Sequence, residues 1–405
     1  MSLLNLIGIL AFVVALLISV MLHELGHFLT ARKFGMKVTE FFLGFGPKIW
    51  STQRGETEFG VKSIPAGGYC RIVGMSPSEP VDLIDQPRSF YKASTLRRLI
   101  VLGAGSTTHF VLGFLLLFTF FAAIGTPSQS QVLDQILKCI PVDSTQSGCL
   151  PSDPKAPATL AGLKQGDKIV SINGVELNSW EEVSKIIRNS PNTKMSLGIL
   201  RDEILLDVPL TPVARAPISE LGESVPVGVI GVLSKSELLR SNPLAALKNS
   251  LSEGKNIFTG SFKALFALPA KIPDLVQATF GGGERDPEGL VGVVGVARVS
   301  GDAAASENAG WAAKIGFFLL IIASLNIFIG IFNLLPLLPL DGGHMAVAII
   351  DGIRMQIARR RGKPLPAPYD VVKLVPLTLA VIVVMATLSL LLLAADIINP
   401  LRINF

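Results

Sequence analysis

Apolar residues gather into four long runs, and polar residues fill the stretches between them. Residues 1–22, 99–124, 315–340 and 374–395 contain no Asp, Glu, Lys or Arg. Each run exceeds the roughly 20 residues a helix needs to cross ~30 Å of hydrocarbon. The pattern predicts four transmembrane helices, within 1–31, 99–124, 311–343 and 373–396. The first run lacks the basic start and the small-residue cleavage site of a secretory signal peptide, so it reads as a retained span.

Between the second and third spans the period changes. Lys168 to Ile172 reads as a short strand, and Asn173-Gly174 is a strong hairpin signal. Ser179 followed by Glu182 three residues on is a capping box. It opens a helix whose apolar stripe is Trp180, Val183, Ile186 and Ile187. Residues 192–209 return to strand character through Leu197, Ile199, Ile204, Leu206 and Val208. This grammar resembles a PDZ domain, placed at 125–215, whose groove takes an extended peptide by strand addition. Residues 216–310 are expected to hold one or two amphipathic helices across 242–280 and a linker at 281–286. The helices would lie on the membrane surface or pack against the PDZ-like unit.

Charge sets the expected orientation. The segment 32–98 carries eleven Lys and Arg, and 344–372 carries Arg354, Arg359, Arg360, Arg361 and Lys363. The positive-inside bias makes both loops cytoplasmic. Both termini, the tail at 397–405 and the PDZ-like unit then lie outside. Composition fits this picture. Only 17% of residues are charged, 49% are hydrophobic, and the net charge of +5 follows from the loop bias. The mean hydropathy is +0.53. A disordered chain and a disulfide-dense secreted scaffold are excluded, and no nucleic-acid partner is needed to explain the charge. Of the three cysteines, Cys70 falls inside, while Cys139 and Cys149 lie in the exported segment where a disulfide can form.

The scarce ionisable residues within the spans carry the chemistry. His23-Glu24-Leu25-Gly26-His27 interrupts an otherwise uncharged helix near its cytoplasmic end. Positions i and i+4 share a helix face, so both imidazoles can ligate one Zn²⁺ and Glu24 can act as general base. Catalytic zinc usually has three protein ligands. Asp341, in the Pro/Gly-broken stretch "NLLPLLPLDGGH" that ends the third run, is the strongest third candidate. Both motifs end on the same side of the membrane and can meet.

HELGH in the first span and NLLPLLPLDGGH in a later one resemble the site-2 protease family of intramembrane zinc metalloproteases. The inserted PDZ-like unit is similar to its bacterial branch, the actinobacterial Rip-type members in particular. The resemblance implies a polytopic α-helical membrane protein of the bacterial cytoplasmic membrane, with four transmembrane helices, one inserted extracytoplasmic α+β PDZ-like domain and a membrane-associated β-hairpin. It implies one zinc ion on His23, His27 and Asp341, Glu24 as catalytic base, and Asn333 positioning substrate or polarising the scissile carbonyl. The loop "GFGPKIWSTQRGETEFGVKSIPAGGYCRI", within 32–98, resembles the family's hairpin, which implies substrate binding around Gly44 and Gly46. Implied partners are the lipid bilayer, single-pass membrane proteins already cut once (such as anti-sigma factors or signal-peptide remnants), and a peptide ligand of the PDZ-like unit.

Two departures stand out. The second Pro of the family's NxxPxPxLDG form is displaced to Pro339. The family's Gly-Pro-x-x-Asn-Phe element reads "GAGSTTHF" here, with Ser106 for Pro and His109 for Asn, and His109 reads as a polar packing residue. A silent membrane scaffold binding peptides through the PDZ-like unit, or an ion transporter, would leave an intact HExxH with a matched Asp unexplained.

Overall fold

A computed structural model gives the fold and describes residues 2–141, 149–150, 153–215, 226–282, 285–286, 289–307 and 309–400. The chain forms two compact units. One draws on the chain up to Ile124 and from Arg240 onward, and the other is Gly125–Leu239.

The first unit opens with α1 (Leu3–Lys33), started by a reciprocal cap between Ser2 and Asn5. Strands β1 (Val38–Arg54) and β2 (Thr57–Ile72) follow, then α2 (Thr95–Thr119), capped by Ser94. The two strands fold into more than a plain hairpin. Residues 40–43 of β1 sit between residues 68–71 of β2 on one side and 58–61 on the other, while Lys48 to Arg54 pair with Thr57 to Lys62. Residues 68–72 therefore form an outer edge of this small sheet. Phe28 of α1 holds the sheet through ring contacts at 5.5 Å to both Phe41 and Phe59.

The inserted unit contains β3 (Thr126–Ile136), α3 (Pro157–Leu160), β4 (Lys168–Ile172), β5 (Val175–Glu176), α4 (Trp180–Arg188), β6 (Met195–Arg201), β7 (Ile204–Leu210), β8 (Val213–Arg215), β9 (Val227–Val229) and β10 (Val232–Leu239). The main sheet runs β10-β3-β4-β6-β7, with β5 paired to β4. Asn173 and Gly174 form the β4–β5 turn, with φ of 52° and 79°. Ser179 caps α4 as its sequence requires, accepting from Glu182 N at 3.2 Å, while Glu182 accepts from Asn178 N at 2.9 Å. Leu133, Ile169, Val183, Leu197 and Ile199 make a fully buried core. Cys139 and Cys149 form a disulfide; the loop 142–148 between them lies outside the described residues.

One expectation fails here. Residues from 216 on read as helix and linker, yet 227–229 and 232–239 are strands. β10 pairs antiparallel along β3, Leu239 opposite Thr126 and Val232 opposite Ile136. Its alternation of Leu233, Lys235 and Glu237 with smaller residues suits a half-exposed edge strand. Residues 216–225 lie outside the described residues.

The chain returns to the first unit with α5 (Pro243–Phe280), α6 (Val293–Ala305), α7 (Trp311–Asn333), α8 (Asp341–Arg360) and α9 (Val375–Ile398). α5 is one continuous helix of 38 residues with Pro269 and Pro273 inside it. Asn242 caps it, accepting from Ala245 N at 2.8 Å, and Pro243 takes the early position where its missing N–H costs nothing. Ile257 and Leu265 of α5 pack on Leu117, Ala323, Ile327 and Phe110 of α2 and α7. α6 lies against α1, where a side chain at Gly8 would come within 2.7 Å of Ser300 O. Among the described residues four helical stretches are long and apolar enough to cross a membrane: Leu3–Lys33, Thr95–Ile124, Trp311–Asn333 and Val371–Ile398. Two buried ion pairs tie separate elements of this unit together. Arg98 Nη1 donates to Asp351 Oδ2 at 3.3 Å, and Arg285 Nη2 to Asp396 Oδ1 at 2.7 Å. Of the linker at 281–286, residues 283 and 284 lie outside the described residues, as does the tail from 401.

In the inserted unit, Asp167 is 1% exposed and is gripped by Arg201 through Nε and Nη2, each at 2.7 Å, and by Lys164 N at 2.8 Å. Burial alone would raise its carboxyl; the Arg201 fork and the Lys164 N–H outweigh burial and hold it below the usual range. A depressed folded value makes this contribution full above the unfolded pKa of ~4 and lost as pH falls through the folded one. Asp167→Asn should therefore weaken the unit by about 2 kcal/mol at pH 7, with the gap closing in acid. Amide hydrogen exchange in β4 and β6 checks this; equal protection in the two proteins at pH 7 would contradict it.

Candidate metal centre

α1 is helical through the HELGH stretch, so His23 and His27 lie one turn apart on one face and both turn inward, each 7% exposed. Their Nε2 atoms are 3.1 Å apart. His27 Nδ1 lies 2.8 Å from Val101 O on α2. A carbonyl only accepts, so in the neutral ring Nδ1 carries the proton and Nε2 presents its lone pair inward.

Asp341 arrives from the far end of the chain. α7 stops at Asn333, a Pro-containing turn follows, and α8 begins at Asp341. Two glycines let α8 start against that turn. A side chain on Gly342 would collide with the carbonyls of Leu334 and Leu335, and one on Gly343 would come within 2.5 Å of Leu338 N. The outcome is that Asp341 Oδ2 lies 3.3 Å from Nε2 of both His23 and His27.

These three atoms form the one group of three or more His, Cys, Asp or Glu able to hold a metal among the described residues. The spacing discriminates between readings. Ligands ~2.0–2.1 Å from one tetrahedral centre sit roughly 3.3–3.4 Å from each other. The observed edges of 3.1, 3.3 and 3.3 Å match one face of such a tetrahedron. Two Nε2 atoms that close cannot both carry protons aimed at each other. Asp341 Oδ2 is buried with no hydrogen-bond partner among the described residues. A cation is what satisfies three inward lone pairs, and two imidazoles with a carboxylate suit zinc.

The backbone of α2 supplies the floor. A Cβ on Gly105 would fall 2.5 Å from His23 Cε1 and 2.5 Å from His27 Nε2. A Cβ on Gly26 would fall 2.8 Å from Ala104 O. α1 and α2 thus cross at bare backbone, which leaves room for the imidazoles. His109, also on α2, is 1% exposed and brings its ring centroid to 4.9 Å from that of His23.

The other residues singled out by sequence fall at varied places. Glu24 is half-buried on α1 beside the sheet edge, where a Cβ on Gly68 would lie 3.4 Å from its Cγ. Asn333 is half-buried at the last position of α7. Gly44 and Gly46 have φ of 85° and 84° and bend β1. A side chain at Gly44 would come within 2.7 Å of Ile64 O, so this bend packs on β2. Gly68 and Gly105 touch the site; Gly105 stands at the Gly of the stretch compared with the family's Gly-Pro-x-x-Asn-Phe element, and Gly68 lies in the hairpin loop. His344 lies outside the metal-capable group. Burial, reinforced by the Glu24 charge, pushes the Cys70 thiol up to about 12, and Cys70 lies outside the metal-capable group. An apolar cavity of about 440 Å³ adjoins the same turn of α1, lined by Leu17, Met21, Leu22, Leu25, Phe41 and Leu43 among others.

Comparison with known proteins gives a consistent result. Residues 11–377 match the sequence profile of Peptidase family M50. The chain is 36% identical to the zinc metalloprotease Rip1 of Mycobacterium tuberculosis, with 98% of each chain covered. It is also 36% identical to Rip1 of Mycolicibacterium smegmatis, again over 98% of each. A putative zinc metalloprotease of Nostoc sp. is 30% identical, covering 89% of this chain and 88% of its own.

The Gly105 floor generates a test. Gly105→Ala should displace one imidazole and lower zinc affinity by about tenfold or more. Metal analysis of the detergent-purified protein by competition with a chelator reads this directly. Unchanged affinity would mean that the imidazoles do not need this space.

Proposed function

The chain belongs to peptidase family M50, the site-2 protease family, and is a zinc metalloprotease with membrane-spanning helices; from that premise we propose that it hydrolyses peptide bonds within the transmembrane segments of other membrane proteins. The observation that carries the reading is the tetrahedral face formed by His23 Nε2, His27 Nε2 and Asp341 Oδ2, with Glu24 on the same turn of α1.

In this reading His23, His27 and Asp341 hold the metal. When bound, zinc supplies Lewis acidity toward the scissile carbonyl and lowers the pKa of water toward neutrality. Glu24 is the general base. Its carboxylate takes the proton of the attacking water and delivers it to the leaving amine. Asn333 donates an amide N–H to the carbonyl oxygen as charge develops there.

A substrate helix must unwind before cleavage, because its peptide groups are shielded by their own hydrogen bonds. The small sheet supports this step. Residues 68–72 offer an outer edge beside Glu24, and an extended chain can pair with such an edge. Gly44 and Gly46 bend β1 to shape that sheet, and the cavity along α1 accepts apolar side chains of the extended segment.

The basic loops orient the chain with 32–98 and 344–372 in the cytoplasm, and with both termini and the inserted PDZ-like unit outside the bacterial cytoplasmic membrane. Substrates are single-pass proteins already cut once, of the anti-sigma-factor or signal-peptide-remnant kind. The inserted unit carries a cavity of about 710 Å³ between β3 and α4, lined by Ser128, Gln129, Trp180, Lys185 and Arg188 among others. That cavity supports a peptide-binding role for this unit.

Glu24→Gln keeps the metal ligands and removes the base. Zinc content should match the parent protein, while cleavage of a transmembrane reporter falls by about 10²–10⁴-fold. Undiminished cleavage would overturn Glu24 as the base. Asp341→Asn should lower zinc content, and a full complement of metal in that variant would remove Asp341 from the ligand set.

A further inference from the structure

The two histidines of the metal-capable group are supported in different ways. His27 is oriented by the hydrogen bond from Nδ1 to Val101 O. His23 Nδ1 is buried and has no hydrogen-bond partner among the described residues. A metal-ligating imidazole ordinarily donates its second nitrogen to a carbonyl or carboxylate, which sets both tautomer and ring angle. Something else must hold the His23 ring.

What lies beside it is another imidazole. The His109 and His23 rings are 4.9 Å apart at centroid and tilted by 36°. His109 is itself fixed. Its Nδ1 lies 2.8 Å from Asn326 Oδ1 on α7. The Asn326 amide has no freedom to flip, because its Nδ2 donates to Ser19 Oγ at 3.1 Å and to Ile322 O at 2.8 Å. Asn326 Oδ1 must therefore accept, and His109 Nδ1 must donate. Ser19 donates in turn to Ala15 O at 2.9 Å, one turn before His23 on α1.

Ser19, His109 and Asn326 are 2%, 1% and 0% exposed. Polar groups buried this deeply are costly unless hydrogen-bonded, and these three satisfy one another across α1, α2 and α7.

We propose that His109, clamped by Asn326, is a positioning residue: its ring is a fixed plate that sets the orientation of His23 for metal binding, in place of the hydrogen bond that His23 lacks. Asn326 is the clamp on the plate. The inference rests on His23 being a metal ligand.

Two variants separate the plate from the hydrogen bond. His109→Asn keeps an amide able to donate to Asn326 and removes the ring. His109→Phe keeps a flat ring and removes the donor. Cobalt(II) replaces zinc in the detergent-purified full chain. Its visible d–d bands report ligand geometry, competition with a chelator reports affinity, and thermal unfolding of the metal-free protein reports packing.

The Asn variant should shift the cobalt bands and bind metal about tenfold more weakly. The Phe variant should keep the parent band positions while its metal-free form melts lower. A merely structural His109 predicts the opposite ranking, because the Asn variant retains the buried hydrogen bond. Parent-like bands and affinity in the Asn variant would overturn the plate, and so would band shifts in both variants that scale with lost stability. If the Phe variant does not fold, the Asn variant alone decides. His23→Ala is the separate control: retention of full metal there would overturn the ligand reading rather than the plate.

Discussion

Three lone pairs are turned toward one point in a place where a membrane protein can least tolerate them. His23 Nε2, His27 Nε2 and Asp341 Oδ2 crowd together at 3.1 to 3.3 Å, and the Val101 carbonyl keeps the neutral His27 ring's proton on Nδ1, away from this point. As ligands all three present lone pairs, an arrangement that a cation satisfies and that an apolar bundle makes costly without one. Much of the local architecture keeps the three atoms together. The bare backbone at Gly26 and Gly105 allows α1 and α2 to cross closely. Gly342 and Gly343 let α8 start tightly against the turn after α7. Val101 O sets one ring, and the Ser19–Asn326–His109 chain lies behind the other.

The same constraint explains how activity can be confined. In the proposed reading the base and two of the metal ligands share one helix, so their relative placement follows from helix geometry alone. The proposed third ligand comes from the start of α8, so the site exists only when the bundle is assembled. The β1–β2 sheet brings an outer strand edge to Glu24 at Gly68, with Phe28, Phe41 and Phe59 as its anchor. A peptide that must be extended to be cut would meet an edge and a base at the same place.

Much of this was legible in the chain itself, for physical reasons that differ by residue. The four spans follow from uncharged length. His23, Glu24 and His27 stand out because ionisable groups are rare in a span, and Asp341 because it ends a Pro/Gly-broken run. Ser179, Asn173-Gly174 and Asn242-Pro243 announce their caps and turn locally, and each takes that place. What could not be read depends on which helices cross. The motif stretch names Gly105 but not its contact, and neither Gly105 nor Gly68 shows what it touches until α2 and β2 are laid beside α1. The clamp between His109 and Asn326 joins residues 217 positions apart. β10 was hidden because its strand character depends on β3 being available as a partner about a hundred residues earlier. Gly44 and Gly46, which the resemblance places at substrate, bend the sheet, and Gly68 adds a glycine next to Glu24 that the resemblance does not name.

The central claim is that the three converging side chains form a zinc site. X-ray absorption at the zinc edge of the detergent-purified full chain tests it most directly. The account predicts one zinc per chain, bound only by nitrogen and oxygen at ~2.0–2.2 Å, with the outer-shell pattern of two imidazoles. A chain that binds no zinc, or whose zinc shows sulfur at ~2.3 Å or a single imidazole, would contradict it.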